Sequence, residues 1–155
     1  MGLDMYLEAE KYISEWNQDT KGQGEQVSAL FPELKGKKIK TVTAEVMYWR
    51  KANAIHNWFV NNVQNGVDEC QRTYIPIEKL EELLAVCKLV IKLKGKKSAH
   101  QKVLELLPPT SGFFFGSTDI DAYFYQDVEE TIKGLEDLLT DDLFSKWDIY
   151  YRSSW

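Results

Sequence analysis

Residues 4–13 read DMYLEAEKYI, and this stretch decides how the sheet of the protein is built. Met5, Leu7 and Ala9 are apolar and alternate with polar or amphipathic neighbours, which is the period of two expected for a strand with one buried face. A second β-rich stretch, DIYYRS, occupies residues 148–153 at the other end of the chain. Pairing of the two terminal strands would hold both chain ends in place. We therefore expect a small antiparallel sheet that includes both of them.

Between these strands, the apolar spacing predicts up to four helices. Helical periodicity is found in residues 48–63, 77–92, 99–107 and 119–139. Residues 39–46 are rich in β-branched side chains and form either a further strand or the lead-in to the first helix. Residues 14–38 contain three glycines and a proline and predict a long loop. The predicted fold class is therefore α+β, with three or four helices packed on the sheet and residues 1–155 forming a single domain.

The composition excludes several classes of protein. The chain has 155 residues, of which 44% are apolar, with five Trp, eight Tyr and seven Phe. No stretch approaches the ~18 consecutive apolar residues that span a membrane, and the first eleven residues are acidic where a secretory signal is basic and then apolar. We therefore expect no membrane partner and a cytoplasmic location. In that compartment Cys70 and Cys87 are expected to be reduced thiols.

The formal net charge of -5 conceals a segregation along the chain. Residues 1–34 carry a net charge of -5, residues 35–102 of +8 and residues 119–148 of -8. A basic middle between acidic ends either gives the molecule one face that attracts anions or is neutralised when the segments pack together. The acidic total argues against nucleic acid as a partner.

The segment 48–63 is the richest in side chains suited to recognition. On a helical wheel, His56 lies inside the apolar arc. The guanidinium of Arg50 and the amides of Asn53 and Asn57 lie along one border of that arc. Such an edge suits a phosphate or carboxylate together with a heterocycle, and two neighbouring rings offer faces for stacking. The alternative is that His56 is a packed residue with a satisfied hydrogen bond. The candidate ligand-binding residues of this edge are Tyr48, Trp49, Arg50, Asn53, His56 and Asn57.

A second candidate element is the stretch SGFFFGSTD at residues 111–119. Two glycines flank three rings, and two hydroxyls precede a predicted helix start. Free backbone N–H groups and the helix dipole at such a start favour an anionic ligand. The alternative is a buried aromatic turn followed by a helix cap. The spacing and the lysine of a nucleotide-binding P-loop are missing. The candidate contacts are Ser111, Gly112, Ser117 and Thr118.

Three blocks of the sequence resemble a family of small uncharacterised proteins of bacteriophages and prophages. The blocks are MGLDMYL (residues 1–7), YWRKANAIHNWF (48–59) and SGFFFGST (111–118), together with the ending at 148–153. The resemblance implies a phage accessory protein that acts in the cytoplasm of a bacterial host, and it implies no particular activity. Small phage proteins of this size often counter host defence, some of them by sequestering nucleotide signals, but that role comes by analogy.

Three functions therefore stay open. The first is a non-enzymatic protein that sequesters a small anionic, nucleotide-like ligand without any cofactor. The second is a small hydrolase or transferase with His56 as general base and Arg50 as charge stabiliser. The third is an inhibitor that binds a host defence protein through exposed Trp58 and Trp155, and an exposed Trp58 would also fit a homo-oligomer. The His and Cys residues never occur at metal-ligand spacing, so no metal site is expected.

Overall fold

A computed structural model describes residues 2–155 and contains a four-stranded antiparallel sheet and five α-helices. The strands are β1 (Asp4–Tyr12), β2 (Thr41–Arg50), β3 (Thr73–Tyr74) and β4 (Asp148–Ser154). The helices are α1 (Gln23–Ala29), α2 (Asn53–Asn62), α3 (Ile77–Leu93), α4 (His100–Leu106) and α5 (Ala122–Thr140). The predicted α+β class is confirmed. Met1, the first residue of the MGLDMYL block, lies outside the described residues.

The two chain ends form the centre of the sheet, whose strand order is β2-β1-β4-β3. In the antiparallel pairing of β1 with β4, Leu7 lies opposite Tyr151 and Asp4 lies opposite Ser154. The predicted pairing of the terminal strands is therefore confirmed. On its other side β1 pairs with β2, with a register shift between Leu7 and Glu8.

One face of the sheet carries the hydrophobic core. Met5, Leu7 and Ala9 are fully buried, and in β4 the ring of Tyr151 stacks on Phe59 of α2 at a centroid distance of 4.1 Å. Helices α3 and α5 pack against each other over the same core. Full burial of each large apolar side chain contributes about 1.5–3 kcal/mol. The alternating pattern of β1 therefore predicts which of its side chains are buried in the core.

The helix expected over residues 48–63 begins only at Asn53, which corrects the sequence-based boundary. Residues 48–50 belong to β2, where Tyr48 lies opposite Tyr6 of β1. Lys51 then adopts a left-handed backbone conformation with φ of 59°, which ends the strand and turns the chain into α2. Pairing with β1, which is distant in sequence, decides this boundary. The local periodicity of residues 48–63 does not predict it.

Other boundaries differ as well. The stretch expected as a loop over 14–38 contains α1 and a 3₁₀ turn at Pro32–Leu34. Helix α5 begins at Ala122, and its cap is Asp121, whose carboxylate accepts a hydrogen bond of 3.0 Å from the Phe124 backbone N–H. Ser117 and Thr118, expected as caps, lie upstream of it. Trp58, expected on the far side of its helix, is only 6% exposed because that side also packs into the core.

The basic middle of the chain packs against its acidic ends. Lys88 of α3 and Lys94, which follows its last residue, pair with Glu136 and Glu129 of α5 at 2.6 and 2.8 Å. Within residues 2–155 no helix combines the length and the apolar character required to cross a bilayer. Both cysteines are free thiols, and burial raises the pKa of Cys87 to about 12.

Candidate functional site

His56 lies in the core and is paired on both ring nitrogens. Its side chain has no exposed surface, Nε2 lies 2.9 Å from Oδ2 of Asp68, and Nδ1 lies 2.6 Å from the hydroxyl oxygen of Tyr151. Because an ionised carboxylate only accepts, Nε2 donates to Asp68, and in the neutral ring Nδ1 accepts from Tyr151. Burial holds the pKa of Tyr151 well above its usual value. No ring nitrogen of His56 is free to contact a ligand in this arrangement.

The two asparagines of the predicted edge also bond within the protein. Nδ2 of the buried Asn53 donates to the carbonyl oxygens of Phe115 and Ser117 at 3.1 and 2.8 Å, and its Oδ1 accepts from the Thr110 backbone N–H at 3.2 Å. Nδ2 of Asn57 donates to the carbonyl oxygen of Pro108 at 2.9 Å. Both amides therefore attach the segment between α4 and α5 to α2.

The two rings of the predicted edge point in different directions because they lie on a strand. Trp49 is buried, and its Nε1 donates a hydrogen bond of 2.8 Å to Oγ1 of Thr131 in α5. Tyr48 is half exposed on the opposite face of the sheet, where its hydroxyl donates to Asp4. That hydrogen bond raises the pKa of Tyr48. The two residues therefore do not form one stacking platform.

The segment 111–118 lies beside the beginning of α2. Phe115 is buried against the edge of His56 at 5.3 Å, whereas Phe113 and Phe114 are exposed and contact each other. Gly112 is needed for space, because a Cβ there would lie 2.5 Å from the ring of Phe115. Ser111, Gly112, Ser117 and Thr118 are all exposed. The Ser117 hydroxyl accepts from the Asp119 backbone N–H at 3.0 Å.

Parts of the two predicted elements meet in one cavity of about 290 Å³, here called the Lys51 cleft. It lies between the end of β2, the beginning of α2, the segment before α5 and the first turns of α5. From the predicted elements it contains Arg50, Asn53 and Ser117. Its other lining residues are Lys51, Ala52, Ala54, Ile55, Gly116, Asp119, Asp121, Tyr123, Phe124, Asp127 and Val128.

One wall of the Lys51 cleft is cationic. Within residues 2–155 no carboxylate oxygen lies within 4.0 Å of a side-chain nitrogen of Arg50 or Lys51. Helix α2 begins here without a side-chain cap, and the backbone N–H groups of Ala54 and Ile55 have no acceptor among the described residues. Unpaired N–H groups at a helix start carry a partial positive charge. This wall is therefore arranged to accept an anion.

The cleft also has an acidic lining, which comes from the segment before α5 and from the first turns of α5. It presents Asp119, Asp121 and Asp127. Burial raises the pKa of Asp127 to about 7, with a further contribution from the nearby charges of Glu130 and Asp121. Near neutral pH, Asp127 is therefore only partly ionised, which reduces its repulsion of an anion. Tyr123 is 76% exposed at the rim and offers a free ring face.

The backbone of Lys51 is held in a left-handed conformation beside the cleft. Lys51 has a left-handed φ of 59°, and its backbone N–H donates to the Leu3 carbonyl oxygen at 2.7 Å. A Cβ on Gly116 would lie 3.4 Å from Cβ of Lys51, and one on Gly2 would lie 3.4 Å from its Cε. The lysine side chain therefore runs past both glycines, at distances that would be ordinary van der Waals contacts for a Cβ there. A strained non-glycine residue next to a cavity is a reason to look for function there.

Sequence reasoning missed four polar or aromatic groups of the cleft, namely Lys51, Asp121, Tyr123 and Asp127. Lys51 lay next to the predicted Arg50, but the assumed helix directed it away from that edge. No local signal marked Asp127, since its exposure depends on how α5 packs against α2.

Comparison of the chain with protein-family models, with curated proteins and with solved structures gives no match. The functional argument therefore depends on the geometry of the cleft.

Proposed function

We propose that the protein binds a small anionic, nucleotide-like ligand in the Lys51 cleft and releases it unchanged. The observation that carries the proposal is the meeting of Arg50, Lys51 and the uncapped start of α2 in one cavity, with neither cation in an ion pair among the described residues. A phosphate there would receive backbone N–H groups and two charge-assisted contacts. The anion-binding residues of the proposal are thus Arg50 and Lys51.

The acidic lining supports a ligand that carries hydroxyl groups besides its phosphate. Carboxylates accept hydrogen bonds from sugar hydroxyls in dinucleotide-binding proteins, and Asp119 and Asp121 line the same cleft as Arg50 and Lys51. The exposed ring of Tyr123 suits stacking of a base. A volume of about 290 Å³ is at the lower end of the range of roughly 300–1,000 Å³ for ligand pockets. The cleft therefore suits a ligand of mononucleotide size.

The position of His56 does not favour the enzyme that was considered as the alternative. A general base must reach the proton that it removes, and both ring nitrogens of His56 are engaged inside the core. No histidine or cysteine lines the Lys51 cleft. The geometry thus offers no support to the alternative of a hydrolase or transferase that uses His56. For the inhibitor alternative, Trp58 is buried, which leaves Trp155 as the exposed ring of that pair.

The biological role in the proposal rests on the resemblance to phage proteins. A binder of nucleotides in a bacterial cytoplasm would counter host defence by lowering the free concentration of a signalling nucleotide. This role is an extension of the binding proposal and is tested separately. Expression of the protein in a host with a nucleotide-signalled defence should restore phage growth, and the Lys51→Gly variant should not.

The binding proposal is tested by calorimetric titration of AMP, GMP and inorganic phosphate. The informative variant is Lys51→Gly, because glycine adopts a left-handed φ without strain, so the fold should be as stable as before while the ammonium is lost. Asn65→Gly is the matched control, since Asn65 also has a left-handed φ, of 55°, and lies outside the cleft. We expect a nucleotide to bind to the parent and to Asn65→Gly, and at least tenfold weaker binding to Lys51→Gly and Arg50→Ala.

Two results would overturn the proposal. One is the absence of binding of every nucleotide to the parent protein. The other is unchanged affinity in Lys51→Gly. Chromatography of the ligand released by heat then separates a binder from an enzyme, because a binder returns the nucleotide intact.

A further inference from the structure

The connection between β1 and β2 exposes large apolar side chains. Trp16 is 93% exposed, Leu30 is 74% exposed and Phe31 is 49% exposed. Within residues 13–40 the buried residues are Ile13, Thr20 and Gly24 alone. This connection therefore contributes little to the core. Its large apolar side chains are exposed to water, and exposed apolar surface of this kind is typical of an interaction site.

Next to these side chains lies a set of exposed lysines. Leu30, Phe31, Lys35, Lys37 and Lys38 form what is here called the apolar-basic patch. Successive turns hold its members close together, because the Leu34 backbone N–H donates to the Phe31 carbonyl oxygen and the Lys37 backbone N–H donates to that of Leu34, each at 2.9 Å. None of the three lysines forms an ion pair with a described residue.

Cavities around Trp147 extend to Val27 of α1, the helix that precedes the patch. Three adjoining cavities of about 630, 400 and 330 Å³ share Trp147 and together form the Trp147 groove. Apolar side chains line it, among them Ile13, Val42, Phe144 and Ile149. Its charged lining residues are four acids and two bases, and the acids Asp19, Asp148 and Glu78 are in no ion pair within residues 2–155. The fourth acid, Glu10, pairs with Arg72. Of the two bases, Lys146 pairs with Asp142 and Lys11 is in no ion pair within the same residues, so the unpaired charge of the groove is negative on balance.

We propose that the protein forms a two-fold dimer in which the apolar-basic patch of each copy occupies the Trp147 groove of the other. The apolar side chains of the patch would meet the apolar residues among the mixed lining of the groove, and its unpaired lysines would meet unpaired carboxylates. A second copy is the occupant that these observations favour, because one chain supplies both complementary surfaces. This inference does not depend on the Lys51 cleft, whose residues lie elsewhere in the chain.

Adjacency of the two surfaces explains why the assembly closes. Val27 lines the cavity that contains Trp147, and the Leu30 backbone N–H donates to its carbonyl oxygen at 3.2 Å. The patch therefore begins one helical turn from the groove, and a two-fold axis between them forms both contacts at once. Copies related by another rotation would instead build a larger ring or an open chain.

The experiment is light scattering after size-exclusion chromatography over a range of protein concentrations. The parent should have the mass of a dimer. A patch variant, Lys37→Glu with Lys38→Glu, and a groove variant, Asp19→Lys with Asp148→Lys, should each dissociate at least tenfold more readily because like charges face each other. All four positions are exposed, so the fold should persist, which circular dichroism checks. Lys96→Glu with Lys97→Glu is the control for net charge and should leave the dimer intact.

Mixing the two variants gives the sharpest test. In a mixed pair the reversed patch meets the reversed groove and the parent patch meets the parent groove, so both contacts are attractive. We expect the equimolar mixture to recover a dimer that neither variant forms alone. A monomeric parent at every concentration would overturn the proposal, whatever lipid, nucleic acid or other protein it then binds. A dimer that survives both double reversals, or a mixture that stays monomeric, would overturn it as well.

Discussion

Nε2 of His56 lies 2.9 Å from Oδ2 of Asp68, and the imidazole connects this carboxylate to the hydroxyl of Tyr151 inside the core. Asp68 also accepts a hydrogen bond of 3.1 Å from Nε1 of Trp155. One ring therefore joins α2, the loop after it and the C-terminal strand. The histidine that the sequence offered as a ligand contact serves to join three parts of the fold.

His56→Phe should lower the free energy of unfolding by about 2–4 kcal/mol, because it leaves a partly buried carboxylate and a buried hydroxyl without their partner. Urea denaturation measures this loss. His100→Ala is the control, because His100 is the other histidine and is exposed on α4, so its replacement should cost less than about 0.5 kcal/mol. Equal stability of the two variants would show that the imidazole does not stabilise the core.

Trp49 and Thr131 should couple energetically across 82 residues of chain. Thr131→Val leaves the buried indole N–H without an acceptor and should cost about 1–3 kcal/mol. Once Trp49→Phe has removed that N–H, the same Thr131→Val change should cost less, with a coupling energy of about 0.5–3 kcal/mol. A double-mutant cycle in urea measures it, and strictly additive costs would contradict the hydrogen bond.

Two glycines should respond differently to alanine. A Cβ at Gly112 would lie 2.5 Å from the buried ring of Phe115, whereas one at Gly134 would lie 2.4 Å from Cε of Met47, the far end of a flexible side chain. Gly112→Ala should therefore cost about 1–3 kcal/mol. In Gly134→Ala, movement of the methionine and a gain in helix propensity of about 1 kcal/mol should leave stability nearly unchanged. Thermal unfolding in which Gly134→Ala loses more stability than Gly112→Ala would reverse this order.

Asp127 should make stability depend on pH near neutrality. Its pKa is raised from 3.8 to about 7, chiefly by burial. Between these values the folded protein holds a proton that the unfolded chain has released, so stability falls as the pH rises from about 4 to about 7. Asp127→Asn should therefore be more stable than the parent by about 1–2 kcal/mol at pH 8.5, and by less at pH 5.5.

Urea denaturation at the two pH values measures this difference. Asp137→Asn on the exposed side of the same helix is the control and should show no such change between them. A stability gain in Asp127→Asn that is equal at both pH values would contradict the assignment. If nucleotide binding is established, its affinity should also fall as Asp127 ionises, because the cleft then gains a negative charge.

The candidate site could be predicted from sequence only in part. Arg50, Asn53 and Ser117 are predicted from the sequence and do line the cleft. The side-chain amide of Asn53, however, is hydrogen-bonded to the segment before α5, and the ring of His56 is hydrogen-bonded within the core. The wheel that grouped these residues assumed one helix, whereas Lys51 divides the segment into a strand and a helix. The resemblance to phage proteins and the cytoplasmic location stay predictions.

By itself, the sequence determined the class of fold. Apolar and polar residues alternate in β1 and β4, and apolar residues recur at helical spacing in α3 and α5. These patterns are local, and each predicts which face of its element is buried. Only the tertiary structure decided where β2 ends, which atoms satisfy His56, and that Lys51 and Asp127 line the same cleft. The physical reason is range. The periodicity of buried positions depends on residues that are close in sequence. Hydrogen-bond partners and cavities depend instead on side chains that meet only when segments distant in sequence pack together.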